Sequence, residues 1–286
     1  MRSLARTTLA VLASGTLLLT AQAGASAATT HAGFNDPSCH PSTAHPDPVL
    51  LLHGLGGNGP GNFATLGPAL AAAGYCVFAP TYGEAAPPIP VGGLVPISQS
   101  AREIAADIDQ IRASTGAAKI DVVGHSEGAF QSLYVPKVLG YADKIDRVVA
   151  LAPPTHGTTF ANLVSVADLL GIRPAVDQIL NGFGCAACAE LITGGAAVAT
   201  LTNGPIAQPG VSYTVIASTG DALVTPHETS FVREPGVHNE FVQDSCPFDP
   251  VGHIGLAYDL DVTQLITNAL DPAHAASITC SFGLPF

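Results

Sequence analysis

Short apolar runs alternate along the chain with longer stretches in which apolar residues recur every three or four positions. Pro48 to Leu52 is a continuous apolar run closed by His53-Gly54, the pattern of a buried strand that ends in a tight turn. Tyr75 to Ala79, Lys119 to Val123, Arg147 to Leu151, Ser212 to Ala217 and Val237 to Val242 read as further strands. Between them, Asn62 to Ala73, Ser98 to Ser114 and Glu127 to Leu139 have helical spacing, and Thr263 to Leu270 predicts a closing helix. Ile104, Ile108 and Ile111 share one face of the second helix. Ser100, with Glu103 three residues on, predicts a capping box at its start. Strands alternating with helices predict an α/β fold: a mainly parallel central sheet with helices on both faces. The rhythm breaks between about residues 155 and 210, which read as a small helical cap or lid inserted in the same domain.

The first residues stand apart from this pattern. Arg2 and Arg6 precede an apolar run from Thr8 to Thr20, and Ala25-Ser26-Ala27 follows with small residues. This order predicts a secretory signal peptide over residues 1–27, in a run too short to span a bilayer comfortably. Residues 28–286 are then one domain, led by an irregular arm over 28–47. Apolar residues make up 47% of the chain, enough to fill a sizeable core and to exclude a disordered protein. Loss of Arg2 and Arg6 with the signal takes the formal charge from −12 to −14. Such an acidic surface repels nucleic acid and anionic membranes.

Export also bears on the six cysteines, Cys39, Cys76, Cys185, Cys188, Cys246 and Cys280. An even count in an exported chain predicts three disulfides, but six cysteines allow about 15 pairings. Locality favours Cys39–Cys76, Cys185–Cys188 and Cys246–Cys280. The rival reading of Cys185-Ala-Ala-Cys188, half of a zinc site, lacks a second C-x-x-C.

The chemistry centres on Gly124-His125-Ser126-Glu127-Gly128, which follows a strand and opens a helix. A G-x-S-x-G turn in that setting lifts a serine hydroxyl out of the sheet and sets the next backbone N–H at a helix start. Serine is a weak nucleophile and needs a base and an orienting acid. Asp221 follows the strand that ends near Ser218, and His253 lies in a small-residue loop near the C-terminus, so Ser126, Asp221 and His253 are the candidate catalytic residues. Asp244 and Asp249 compete as acids, and His227, His238 and His274 as bases. His125 reads as a packing residue, and Asp249 as a candidate to orient the His253 loop. His53-Gly54-Leu55-Gly56-Gly57 follows a strand and can aim an amide at a developing oxyanion. The backbone N–H groups of Leu55 and Glu127 are the candidate oxyanion donors.

Four pieces, Pro48-Val-Leu-Leu-Leu-His-Gly-Leu-Gly-Gly57, Gly124-His-Ser-Glu-Gly128, Thr219-Gly-Asp-Ala-Leu-Val-Thr-Pro226 and Gly252-His-Ile-Gly-Leu256, together resemble bacterial lipases of the α/β-hydrolase superfamily. The resemblance is in particular to the small secreted actinobacterial and Bacillus-type lipases. The resemblance implies an α/β-hydrolase fold and hydrolysis of acylglycerols or similar neutral esters, with no organic cofactor. The signal peptide predicts an extracellular location, and the chain is expected to be a monomer in transient contact with a lipid interface. That family usually carries Gln after the nucleophile. Glu127 stands there instead, and a carboxylate at that position opposes an oxyanion unless it is paired or turned away.

Two other readings stay open. The same triad serves an acyltransferase or thioesterase, because an acyl-enzyme can be resolved by water or by another nucleophile. A non-catalytic secreted lipid-binding protein on the same scaffold is expected to lack a triad member. No H-E-x-x-H or comparable metal-ligand motif is present, so no catalytic metal is expected; a structural Ca²⁺ is left open. In the insertion, Phe160, Leu163, Val164, Val166, Leu169, Leu170 and Ile172 read either as a cap over an acyl site or as core packing.

Overall fold

A computed structural model describes residues 33–85, 91–160 and 184–286. The signal peptide reading over residues 1–27 and the apolar set from Leu163 to Ile172 lie outside the described residues.

Six strands form the sheet: β1 (Val49–Leu52), β2 (Val77–Phe78), β3 (Ile120–His125), β4 (Ile145–Leu151), β5 (Ser212–Ala217) and β6 (Val237–Phe241). They run in the order β2-β1-β3-β4-β5-β6, and every pairing is parallel. The alternation of side chains along each strand divides the core in two. Leu50, Leu52, Val122, Val148, Ala150 and Val215 face one layer, covered by α3 (Ile97–Thr115) and α4 (Glu127–Val138). Val49, Leu51, Val123, Val149, Leu151 and Ile216 face the other, covered by α2 (Leu66–Ala72) and α8 (Leu260–Leu270). Burial on both faces is why β1 reads as an unbroken apolar run instead of an alternating one.

Two local expectations are corrected. The stretch from Asn62 to Ala73 is not one helix. A single turn, α1 (Gly59–Asn62), capped by the Asn58 side chain, precedes α2. Close packing on the neighbouring chain sets that turn, since a Cβ at Gly59 would lie 2.2 Å from the Ala79 carbonyl oxygen. The capping box at Ser100 does not form either. Helix α3 starts at Ile97, which places Ser100 a turn inside the helix and fully buried. Glu103 Oε2 instead accepts from Gly83 N at 2.8 Å. The Ile97 amide is satisfied by Glu190 Oε2 at 2.7 Å, a carboxylate far away in sequence that also favours a helix N-terminus.

Within the inserted region, α5 (Ala186–Glu190) and α6 (Ala196–Leu201) are described. Ala187, Leu191, Ala197, Val198 and Leu201 are buried in the same layer as α3 and α4, so these helices belong to the body of the domain. The disulfides are Cys39–Cys76, which ties the N-terminal arm to the start of β2, Cys185–Cys188 at α5, and Cys246–Cys280. The last joins the C-terminal tail to the end of α7 (Val242–Ser245). Among the described residues no helix is long and apolar enough to cross a membrane.

Candidate active site

The loops that follow β1, β3, β5 and β6 meet at the carboxyl edge of the parallel sheet, where open α/β sheets form their binding crevices. Ser126 sits on the sharpest of these turns, between β3 and α4. Its backbone is forced to φ 57°, ψ −116°, and its N–H is held by the Leu151 carbonyl at 2.8 Å. Only glycine allows the approach on either side. A Cβ at Gly124 would fall 2.3 Å from the Gly128 oxygen, and one at Gly128 would fall 2.1 Å from the Leu52 oxygen. The turn therefore presses the start of α4 onto β1 and β3 and holds the serine in a strained conformation.

His253 Nε2 lies 2.7 Å from Ser126 Oγ, and His253 Nδ1 lies 2.6 Å from Asp221 Oδ2. Asp221 is itself fixed. Asp221 Oδ1 accepts from the amides of Leu223 at 2.7 Å and Val224 at 2.9 Å, which leaves Oδ2 for the histidine. Asp221 and His253 are buried, so their contact is shielded from water.

The competing residues are placed elsewhere. Asp244 accepts from Phe241 N, at the start of α7. His238 lies beside Glu240 on β6, and the exposed His274 pairs with Asp271. His227 Nε2 contacts the main-chain oxygen of Asp221 at 2.8 Å and so braces the acid's loop. Asp249 Oδ1 accepts from Val251 N and Gly283 N, which organises the chain leading into His253.

Two buried histidines position the site instead of taking part in it. His125 contacts the main-chain oxygen of His253 through Nε2 at 2.9 Å. Burial, and next the neighbouring His253, push its pKa down to about 3, so the ring is neutral and donates from Nε2. His53 stacks on Tyr82, and its Nδ1 lies 2.9 Å from the Gly54 oxygen. Burial lowers its pKa as well. Neither role follows from local spacing, although His53 and His125 both stand inside the motifs that mark the site.

The loop after β1 is nearly saturated with hydrogen bonds. Gly54 N donates to Asn62 Oδ1, Gly56 N to Gly92 O and Gly57 N to Gly54 O. Among the described residues the Leu55 amide donates to no protein acceptor, and neither does the Glu127 amide at the first position of α4. Leu55 lines the cleft beside Ser126, and Glu127 is the next residue along the chain from Ser126.

The Glu127 side chain turns away from that position. It is fully buried, with Oε1 accepting from Gln131 Nε2 at 2.8 Å and Oε2 lying 2.5 Å from Tyr82 Oη. Tyr82 Oη also lies 2.6 Å from the His53 oxygen. The phenol has one proton for two oxygens. Both contacts are satisfied when Glu127 carries a proton and donates to Tyr82, which donates to His53 O. Burial raises the Glu127 pKa to about 7, although the Tyr82 and Gln131 bonds oppose the rise. When protonated, Glu127 braces through Tyr82 the loop that carries Leu55 without opposing an anion.

A cleft of about 450 Å³ opens above Ser126 and His253. Leu55, Leu191, Leu223, Val224 and Ile254 make its wall largely apolar, and Cys188 brings the α5 disulfide to its edge. A model described as the alpha/beta hydrolase fold matches residues 47–178 of the sequence.

The fold is that of an α/β hydrolase. Two crystal structures share it. Aspergillus fumigatus lipase B has a TM-score of 0.61 and 18% identity over 83% of this chain, which spans 58% of that protein's length. The mature form of Bacillus licheniformis lipase BlEst2 has a TM-score of 0.56 and 19% identity, covering 84% of this chain and 99% of that one. No curated protein matches the sequence. On this α/β-hydrolase scaffold the cleft lies at the expected edge of the sheet, with Ser126 and His253 in its lining.

Proposed function

We propose that the chain is a secreted serine hydrolase of neutral carboxylic esters with apolar acyl chains, of the lipase or carboxylesterase type. The observation that carries this reading is the unbroken relay Ser126 Oγ–His253 Nε2 and His253 Nδ1–Asp221 Oδ2 at the mouth of an apolar cleft. His253 takes the Ser126 proton as Oγ attacks the ester carbonyl, and Asp221 stabilises the imidazolium. The Leu55 and Glu127 amides receive the oxyanion of the tetrahedral intermediate. His253 then protonates the leaving alcohol. Water, activated by the same ring, attacks the acyl-enzyme and releases the acid, which restores Ser126.

The apolar wall and the acidic charge of the chain both favour a neutral acyl substrate over an anionic one. The two lipase crystal structures support the fold on which such chemistry is built. An extracellular location agrees with the three disulfides. The test is a panel of p-nitrophenyl esters from acetate to palmitate, on wild type and Ser126→Ala. Turnover by wild type, reduced by about 10⁴ to 10⁶ in the variant, supports the reading. Equal activity in both removes Ser126 from the reaction, and inactivity in both favours a lipid-binding protein.

A further inference from the structure

The side chain of Glu127 is enclosed by several elements at once. Gln131, one turn on along α4, donates to Oε1 and, from the same nitrogen, to the Ile97 carbonyl of α3 at 3.1 Å. Tyr82 meets Oε2 from the loop after β2. Gly93 comes close as well, at φ 69°: a Cβ there would lie 3.1 Å from Glu127 Oε2 and 3.2 Å from Leu55 Cα. The carboxyl and the Leu55 backbone thus crowd the same glycine.

None of these neighbours brings a compensating charge. His53, at the end of β1, has both ring nitrogens occupied. Tyr82 N donates to Nε2 at 3.3 Å, so Nδ1 carries the proton and donates to Gly54 O. That ring is neutral, and burial lowers its pKa. Burial also pushes the Tyr82 phenol well above its ordinary value, so it keeps its proton. His125 turns to the His253 carbonyl. The nearest titratable groups of α3 and α5 are acids: Glu103 accepts from Gly83 N, and Glu190 accepts from Ile97 N. Among the described residues no Lys or Arg forms an ion pair with Glu127. A dry enclosure without a counter-charge suits a neutral carboxyl.

The proton count then sets the direction of the bonds. Tyr82 Oη lies between Glu127 Oε2 and His53 O and has a single proton. With Glu127 protonated, the carboxyl donates to Tyr82, and Tyr82 donates to His53 O. With Glu127 ionised, Tyr82 gives its proton to the carboxylate, the stronger acceptor, and the His53 carbonyl loses its donor. That carbonyl belongs to the peptide leading through Gly54 to Leu55. It also packs on the start of α4, where a Cβ at Gly128 would fall 2.6 Å from it.

We propose, on the reading of Ser126 as the nucleophile of an ester hydrolase, that Glu127 is a positioning residue that works only when protonated: through Tyr82 it anchors the His53 carbonyl and aims the Leu55 amide, and its ionisation shuts hydrolysis down on the alkaline side. Two effects act together in the ionised state. The Leu55 loop loses an anchor, and a buried negative charge opposes the developing oxyanion. The resulting pH profile differs from that of a triad alone. A base that must be deprotonated makes the rate climb with pH to a plateau. Glu127, with a pKa raised to about 7, adds a falling limb above neutrality.

The experiment follows p-nitrophenyl butyrate hydrolysis by the purified protein from about pH 5 to 9.5, corrected for spontaneous hydrolysis. Wild-type kcat is expected to fall about 10-fold or more between pH 7 and 9, with KM little changed. Activity is expected to return when the sample is brought back to neutral pH, which separates the effect from unfolding. Glu127→Gln cannot ionise and is expected to lose the falling limb, with kcat changing by less than about 2-fold over the same interval. Tyr82→Phe breaks the relay in either state of Glu127. It is expected to lower kcat about 10-fold below neutrality and to shrink the alkaline fall; it decides together with wild type if Glu127→Gln fails to fold. Infrared difference spectra of wild type between acidic and alkaline pH read the proton without turnover, as a buried protonated-carboxyl band that is lost on raising the pH. A wild-type profile that climbs to a plateau and holds overturns the proposal, and so does an equal alkaline fall in Glu127→Gln. Absence of the carboxyl band at acidic pH overturns it whatever the kinetics. If no ester is hydrolysed at any pH while the band titrates near neutrality, the hydrolase reading falls and takes the positioning role with it, and the protonation of Glu127 stands.

Discussion

His125 Nε2 donates to the main-chain oxygen of His253 at 2.9 Å, so the residue before Ser126 tethers the loop of His253. One segment of chain thereby fixes both partners of the Ser126–His253 contact. The tether acts on position alone, because burial pushes the His125 pKa down to about 3 and keeps the ring neutral.

His125→Phe keeps a ring of similar shape and removes the donor. Small misplacements of catalytic groups cost up to about 100-fold in rate. A fall in kcat of about 10- to 100-fold is expected, with KM for a soluble ester little changed. Steady-state kinetics across pH 6 to 9 checks this: the drop is expected to be uniform in pH, because no titrating group is lost.

Asp221→Asn separates folding from orientation. Oδ1 keeps the Leu223 and Val224 amides, so the loop is expected to stay in place, while the new amide faces His253 Nδ1 with the wrong proton arrangement. A loss of about 10⁴ in kcat is expected, with a melting temperature close to wild type. A calorimetric scan beside the kinetics distinguishes this from misfolding.

Glu127 links stability to pH. Its pKa is raised by burial from 4.5 to about 7, so the neutral form is favoured in the folded state. The stability tied to that proton is fully present below the unfolded value, and it is lost as pH rises through about 7. Glu127→Gln copies the protonated acid, with an amide to donate to Tyr82 and an oxygen to accept from Gln131. The variant is expected to lose the part of the pH dependence of unfolding free energy that lies between about pH 4.5 and 7. Urea titrations at half-unit pH steps measure it.

The disulfides differ in the chain they close. Cys39–Cys76 and Cys246–Cys280 span 37 and 34 residues, whereas Cys185–Cys188 spans 3. Loop-closure entropy assigns about 4 kcal/mol to each long one and less than half of that to the short one. Paired Cys→Ala substitutions are expected to follow that order in denaturant midpoint. The short bridge, at the edge of the cleft, is expected to show in KM more than in stability.

The strands, most of the helices and the residues that meet at the cleft were legible because each has a local signature. Burial on both faces leaves an apolar run, and a strained serine needs glycines two residues away on each side. What escaped the sequence depends on pairings with no local trace. Ser100 and Glu103 have the spacing of a capping box, yet the carboxylate that satisfies the start of α3 comes from Glu190. Glu127 looked like a hazard to an oxyanion because nothing nearby announces Tyr82 as its partner. Gly283 and Ser281 lie beside Asp249 and Asp261, contacts that only the folded tail creates.

The bonds from Gly252 and Gly255 to the carbonyls of Leu284 and Phe286 make residues 284–286 a handle on the His253 loop. Cleavage of the chain before Leu284 would free the backbone on both sides of His253 while leaving every side chain that lines the cleft in place.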